Sequence, residues 1–193
     1  IPVDDDANGL SDRTVAIASP VFHALTLLSD LGPDYWVLPQ QTIGGHTVGG
    51  FASGDRSGIV RIALFSHDAG DIQSRSDHSF RIILDLAGPT SDGRLNVTQY
   101  CFDRNHNTYF ADAVRLRDAQ AAADEVMRSA FAPAAASPRG YPRESVERIQ
   151  ELAALRPTAV QKINRMPSGR WQVTAPLTAN GVNILVIDAN TAE

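Results

Sequence analysis

Eight short strand-like runs, separated by short intervals, constrain the fold of this chain more than any other feature of its sequence. They cover residues 35–38, 46–53, 58–68, 79–88, 94–103, 158–164, 169–177 and 180–188. Apolar residues alternate with polar ones most clearly over 79–86. The intervals leave no room for repeated βαβ units, so the pattern predicts a mainly β protein of about eight strands in an antiparallel sandwich.

Alternation within these runs also predicts which residues fill the space between the two sheets. Each member of the predicted core occupies an apolar position in one of four runs. The predicted core residues are Ile82, Leu84, Val97, Val173, Ile184 and Val186.

Two parts of the chain are predicted to be helical. Over residues 19–31, Ser19 can cap a helix, Pro20 suits its first turn, and Gly32 ends it. Phe22, Leu25 and Leu28 recur there at helical spacing. Between 112 and 156 the composition turns to Ala, Leu, Arg and Glu, which is typical of one or two inserted helices.

Composition excludes several classes of function. The net charge of −5 argues against nucleic acid as a partner, because phosphate binding needs a basic face. Apolar stretches such as residues 182–187 are far shorter than the roughly 20 residues that span a bilayer. A single cysteine excludes an intramolecular disulfide and a multi-thiolate zinc site. These features predict a soluble protein, cytoplasmic or secreted, and leave its oligomeric state open.

The segment that follows the fifth run concentrates the residue types that carry chemistry. Asp103, His106, Asn107 and Tyr109 stand within seven positions. Such residues commonly close a turn through local backbone hydrogen bonds. They could also line the rim of a sugar pocket or face a neighbouring domain. One histidine and one aspartate supply too few ligands for a metal centre, so no metal and no cofactor is predicted.

Two other groups admit both a functional and a structural interpretation. His67, Asp68 and Asp71 could hold a divalent cation, although a turn rich in Asp and Gly also accounts for them. Trp36 and Trp171 could form a platform on which sugar rings stack. Trp171 alternates with Val173 along a strand, which favours core packing for that ring.

Five segments, taken in order, form a recognisable pattern. They read "ASPVFHALTLLSDLG" (18–32), "HTVGGFASGDRSGIVRIALFSHDAGD" (46–71), "LNVTQYCFDRNHNTYFADA" (95–113), "YPRESVERIQELAAL" (141–155) and "GRWQVTAPLTANGVNILVID" (169–188). Together they resemble the C-terminal part of glycoside hydrolase family 39, the family of β-xylosidases and α-L-iduronidases. The resemblance implies that residues 1–33 include the last helix of a catalytic (β/α)8 barrel. It implies that residues 34–193 form an accessory β-sandwich with a helical insertion over about 112–156.

The catalytic residues of that family have no counterpart here. The family uses an Asn-Glu pair and a second Glu on the barrel, and a retaining glycosidase needs two carboxyl groups about 5–5.5 Å apart. The chain has no Asn-Glu dipeptide and only five glutamates. We therefore expect a bacterial, non-catalytic accessory domain whose partner is the barrel of a glycoside hydrolase. An independent carbohydrate-binding module and a small enzyme that uses the 103–109 cluster are the alternatives.

Overall fold

The computed structural model describes residues 1–71, 76–87, 94–130 and 140–188, with side chains omitted over 123–130. The chain divides into two compact units. The first comprises residues 1–20 and 108–155, and the second comprises residues 21–107 and 156–193. The assignment of residues 1–33 to a barrel and 34–193 to a sandwich concerns a larger protein and stays a prediction.

The second unit is a β-sandwich, as the sequence predicts. Its strands are β3 (Asp34–Ile43), β4 (His46–Gly54), β5 (Ile59–His67), β6 (Ser79–Leu86), β7 (Arg94–Phe102), β9 (Ala159–Asn164), β10 (Trp171–Thr178) and β11 (Val182–Asp188). The larger sheet has the order β3-β4-β5-β11-β7-β9, and the smaller sheet pairs β10 with β6. All of these pairs are antiparallel.

The core lies between the two sheets and is built from alternate residues of each strand. On β10 every second side chain is buried, from Trp171 through Val173 and Ala175 to Leu177. The larger sheet contributes Ile62 and further aliphatic residues of β4, β5, β7 and β11. Burial on one face of each sheet fixes the register, because a slip of one residue would turn the apolar set outward.

Five of the six predicted core residues are buried or pack against the core. Val97 and Val173 are fully buried, and Ile82 and Leu84 pack against the core. Ile184 is also 0 % exposed. On β11, however, Leu185 and Ile187 face the space between the sheets, so Ile184 and the partly buried Val186 lie on the opposite face of the larger sheet. The prediction is therefore right about the burial of Ile184 and wrong about the face that it occupies.

A single helix, α1 (Pro20–Ser29), precedes the sandwich in the second unit and has no buried residue. Its end is attached firmly to the larger sheet. Ser53 on β4 donates a hydrogen bond to the carbonyl oxygen of Gly32 at 3.0 Å. The backbone approaches so closely there that a Cβ on Gly32 would lie 1.8 Å from the carbonyl oxygen of Gly54. Glycine is therefore required at this position.

The first unit combines a small sheet with two helices. Strand β1 (Pro2–Asp4) pairs antiparallel with β2 (Arg13–Thr14) and parallel with β8 (Tyr141–Pro142). Helices α2 (Phe110–Ala130) and α3 (Arg143–Ala153) lie within the region where inserted helices are predicted. Val146, Ile149 and Ala153 form the buried stripe of α3, at the spacing of one helical face. No helix in the described residues is long and apolar enough to cross a membrane.

Candidate functional site

Three segments of the second unit are joined by hydrogen bonds at one end of the sandwich. They are residues 67–71 and 76–78 between β5 and β6, residues 103–107 after β7, and the turn 178–181 between β10 and β11. Ala179 N–H donates to the His78 carbonyl oxygen at 2.8 Å, and Thr178 donates to Asp103. Each segment leaves a strand of the sandwich at the same end, so the sheets themselves bring these polar residues together.

This end also collects most of the histidines. Four of the five histidines in the chain lie at or beside it. His46 is included because its Nε2 atom lies 3.3 Å from Nδ1 of His78. The four are His46, His67, His78 and His106. Because imidazole binds metals, accepts protons and hydrogen-bonds to sugars, this region is the candidate functional site of the described chain.

Asp103 and His106 form a closed hydrogen-bonded turn. The Oδ1 atom of Asp103 accepts the backbone N–H groups of Asn105 and His106 at 2.7 and 2.8 Å. The His106 ring donates its Nδ1–H to the same carboxylate at 2.9 Å, because an ionised carboxylate can only accept. Thr178 supplies the fourth donor, at 2.9 Å from Oδ2. If Asp103 and His106 faced a neighbouring domain, their side chains would be expected to make few contacts within this chain. They make several, so that expectation is wrong.

Burial and hydrogen bonding act in opposite directions on the Asp103 carboxyl. Its side chain is only 4 % exposed, and this desolvation by itself would raise its pKa. The hydrogen bonds from Asn105, Thr178 and His106 favour the ionised form and outweigh it, so the pKa of Asp103 lies below its ordinary value. The carboxylate is thus charged at neutral pH and orients the half-exposed imidazole of His106, whose other nitrogen is left to meet solvent or a ligand.

Asn107 connects the end of β7 to the segment that precedes β9 through two hydrogen bonds. Its amide donates to the Cys101 carbonyl oxygen at 2.8 Å, and its Oδ1 accepts the backbone N–H of Arg156 at 2.9 Å. Its backbone is in the left-handed region, with φ of +49°, which asparagine tolerates better than most residues. These contacts assign Asn107 a structural role, and its place on a substrate rim stays a prediction.

Tyr109 belongs to the first unit and not to the turn. Its carbonyl oxygen accepts the N–H of Ala113 at 2.9 Å at the start of α2, and the centroid of its ring lies 5.3 Å from that of Phe110. The cluster that the sequence suggests is therefore divided between the two units after Asn107. Whether Tyr109 contacts a sugar is untested and stays a prediction.

The residues His67, Asp68 and Asp71 do not form a shared cation site. Within the described residues their ligand atoms are not gathered around one point. Asn180 organises this segment instead: its Oδ1 accepts the N–H of Asp68 at 2.7 Å, and its Nδ2 donates to the Asp71 carbonyl oxygen at 3.0 Å. Sequence reasoning missed Asn180. Its signal was the Asn-Gly pair at 180–181, which is typical of tight turns.

The two tryptophans have different environments. Trp171 is 0 % exposed in the core, with the Arg165 guanidinium 5.1 Å from its ring centroid, so the suggestion that it stacks on sugars is wrong. Trp36 on edge strand β3 is 54 % exposed, and its role in stacking stays a prediction. A groove of about 490 Å³ on the outer face of the larger sheet has no aromatic residue in its lining.

An acidic loop in the first unit was not anticipated. Ligand oxygens of Asp4, Asp6 and Asp12 lie within 4.8 Å of one another, close enough to share a metal ion. The order Asp-x-Asp-x-Asn-Gly over 4–9 is also found in calcium-binding loops. The loop's own hydrogen bonds, such as Gly9 N–H to Asp4 at 2.7 Å, already account for its conformation, and we assign it no function.

Comparison with known proteins places the fold. No protein-family profile and no curated protein matches the sequence. Among solved structures, the GH39 enzyme from Xanthomonas axonopodis pv. citri matches with a TM-score of 0.52 and 12% identity, over 89% of this chain and 30% of its own. A monomeric beta-xylosidase from Caulobacter crescentus CB15 matches with a TM-score of 0.51 and 17% identity, over 91% of this chain and 31% of its own. The chain therefore has the fold of a segment that makes up about a third of each of these enzymes.

Proposed function

We propose that the chain is a non-catalytic accessory domain of a glycoside hydrolase similar to family 39, whose parent enzyme cleaves β-xylosides or related glycosides. The observation that carries the proposal is the exposed apolar face of α1. The two solved structures support it, because the matching segment in each is attached to a much longer chain.

Helix α1 exposes large apolar side chains. Leu27 and Leu28 are half-buried, whereas Phe22 and Leu25 are 59% and 61% exposed. Contiguous exposed apolar side chains are typical of surfaces that other protein covers. Burial of each exposed side chain would contribute roughly 1.5–3 kcal/mol. The helix thus has the composition expected of one that packs between the sandwich and a further domain.

Strand β3, which follows α1 directly, continues this pattern. It is an edge strand of the larger sheet, and Tyr35, Trp36 and Val37 are all more than half exposed. Exposed edge strands are normally protected by charge, proline or a covering element, because their free backbone groups can pair with other chains. Pro39, at an irregularity of the register, protects the middle of β3 but not the apolar residues before it. A covering domain is the role we assign to the catalytic barrel.

The distribution of carboxylates supports a non-catalytic role. Hydrolysis with retention requires two carboxyl groups about 5–5.5 Å apart, one of them with a raised pKa. Glu144, Glu147 and Glu151 are exposed along α3 in the first unit. Asp103 has a lowered pKa, which suits a structural anion better than a general acid.

The second candidate function is that of an independent carbohydrate-binding module. It is favoured by the exposed rings of Trp36 and Tyr35, since aromatic faces stack on sugars. Those rings stand beside other exposed apolar side chains of β3, which suits burial against protein equally well. Affinity electrophoresis in gels that contain xylan separates the two functions: a binding module is retarded, and substitution of Trp36 by Ala abolishes the retardation.

Hydrolysis assays test the proposal against the small-enzyme alternative. We expect the purified chain not to hydrolyse aryl β-xylosides or aryl α-L-iduronides above background, because no pair of positioned carboxyl groups is assigned to it. Turnover that disappears in His106→Ala, and persists in the matched control His67→Ala, would overturn the proposal.

A further inference from the structure

The β3–β4 hairpin places a histidine, His46, in a buried position where one of its ring nitrogens has no hydrogen-bond partner in the described structure. Gly44 and Gly45 have φ values of +57° and +88°, and this tight turn places His46 at the first position of β4. The His46 side chain is 1 % exposed. Its Nδ1 atom has no hydrogen-bond partner in the described structure. The ring therefore depends on its other nitrogen, Nε2, for polar interactions, and Nε2 is the atom that faces His78.

The polar contacts of the His46 ring in the described structure are made by its other nitrogen. Nε2 lies 3.3 Å from Nδ1 of His78 and 3.5 Å from Oγ of Ser76. Both distances exceed the usual 2.9–3.0 Å of a protein hydrogen bond. The two imidazole rings are nearly perpendicular, at 85°, with 5.3 Å between their centroids. Nε2 of His46 and Nδ1 of His78 therefore converge without forming a good hydrogen bond.

The same spacing suits two ligands of one metal ion. Zinc–nitrogen bonds of about 2.0–2.1 Å in tetrahedral geometry place two ligand nitrogens about 3.3 Å apart. Rings bound in this way have centroids about 5.2 Å apart, from the same bond length and angle. We propose that His46 and His78 are two protein ligands of a divalent transition-metal site at this end of the sandwich.

The chemistry of the donors selects the class of metal. Imidazole nitrogens favour Zn²⁺, Cu²⁺ and Ni²⁺, whereas Ca²⁺ and Mg²⁺ prefer oxygen ligands. The chain offers two imidazoles here, and the remaining positions are left for water or for the Ser76 hydroxyl. Two carboxylates lie on the same segment: Asp71 accepts the Ser76 N–H at 2.8 Å, and Asp77 is paired with Arg104 at 3.0 Å.

The two ligands hold different parts of the fold. His46 belongs to β4, and His78 directly precedes β6, so the larger and the smaller sheet each contribute one. A metal bound between them would therefore link the two sheets of the sandwich. Because it would bind the folded chain better than the unfolded one, it would stabilise the second unit in proportion to its free concentration.

Calorimetric titration of the purified chain with Zn²⁺ at neutral pH tests this site. We expect one ion per chain at this site. His78→Ala and His78→Gln should each weaken the affinity by more than about tenfold, since loss of a mere supporting residue already costs that much in metal sites. His78 is exposed, so both variants should fold, as circular dichroism would verify, and Gln keeps a side chain able to hydrogen-bond with His46. His23→Ala, at the one histidine outside this end of the sandwich, is the matched control and should bind as the parent chain does.

Copper provides a readout that is specific for imidazole. Electron paramagnetic resonance of the chain with one equivalent of Cu²⁺ should show coupling to two nitrogens, and to one in the His78 variants. No binding of Zn²⁺, or binding that the His78 variants leave unchanged, would overturn the proposal. The latter result would assign the ion to the carboxylates of the acidic loop instead.

Discussion

The hydroxyl group of Thr178 donates a 2.9 Å hydrogen bond to the carboxylate of Asp103, 75 residues earlier in the chain. Thr178 ends β10 of the smaller sheet, and Asp103 follows β7 of the larger sheet. The bond therefore connects the two sheets at the end where the histidines collect. It makes Asp103 a structural element of the sandwich as well as the residue that orients His106.

Replacement of Asp103 by Asn should destabilise the chain at neutral pH. The substitution keeps the size of the side chain but removes the charge that accepts four donors. Hydrogen bonds to charged groups contribute more than neutral ones, so we expect the free energy of unfolding to fall by about 1–3 kcal/mol. Urea denaturation at pH 7 measures the difference. Asp77→Asn, at a side chain that is 95% exposed, is the control and should have little effect.

The effect of Asp103→Asn should also depend on pH. The pKa of Asp103 is lowered in the folded chain relative to an unfolded value of about 3.9. Its contribution to stability is therefore complete above that unfolded value and is lost as the pH falls through the folded pKa. Denaturation curves of parent and variant should converge below about pH 4. A difference that stays constant down to pH 2 would contradict the assigned hydrogen bonds.

The packing between the two sheets can be tested by truncation of a core side chain. Leu185 is 0 % exposed between the sheets, so Leu185→Ala should lower the free energy of unfolding by about 2–5 kcal/mol. Val160→Ala on edge strand β9, where the side chain is 69% exposed, should change it by less than about 0.5 kcal/mol. Thermal or urea unfolding compares them, and equal effects would refute the packing described here.

The close contact at Gly32 predicts a cost for the smallest possible side chain. A methyl group there would meet the backbone of Gly54, which cannot move without disturbing β4. Gly32→Ala should therefore lower the free energy of unfolding by about 1–3 kcal/mol, the usual range for overpacking. Gly70→Ala is the control, because its new methyl group would meet only the end of the Asp68 side chain. The two variants differ by the same single methyl group.

The exposed face of α1 should tolerate polar residues in the isolated chain. We expect Phe22→Gln with Leu25→Gln to change the free energy of unfolding by less than about 0.5 kcal/mol, because neither side chain is buried. The variant should also bind less of a dye that reports exposed apolar surface. Leu28→Gln, on the half-buried side, is the control and should be destabilising. Strong destabilisation by the double substitution would show that the face is already covered.

The sequence predicts the strands well because local alternation and turn residues determine them. The pattern of 79–86 predicts β6 and its inward side correctly. On β11 the sequence predicts the burial of Ile184 but places Ile184 and Val186 on the wrong face of the sheet, because four apolar residues in succession do not show which face is inward. Only pairing with β5 and β7 decides that Leu185 faces the core.

The candidate site was predicted less completely, for a related reason. The turn at 103–107 is local, so its residue types predict it. Its partners are distant in sequence: Thr178 is 75 residues from Asp103, and Asn180 is 112 residues from Asp68. The contact between His46 and His78 likewise requires the two sheets to be packed. A single sequence contains no signal for such pairs until the sheet order is known.

A search for glycosidase activity that accompanies the chain in its source cells is the most direct test of the central claim. An antibody raised against the chain would be used to precipitate the native protein. The purified variant with Phe22→Gln and Leu25→Gln would serve as a control for the specificity of the antibody. We predict that the precipitate hydrolyses an aryl β-xyloside or a related aryl glycoside, whereas the purified 193-residue chain does not. A precipitate without glycosidase activity, or turnover by the purified chain that His106→Ala abolishes, would contradict the account.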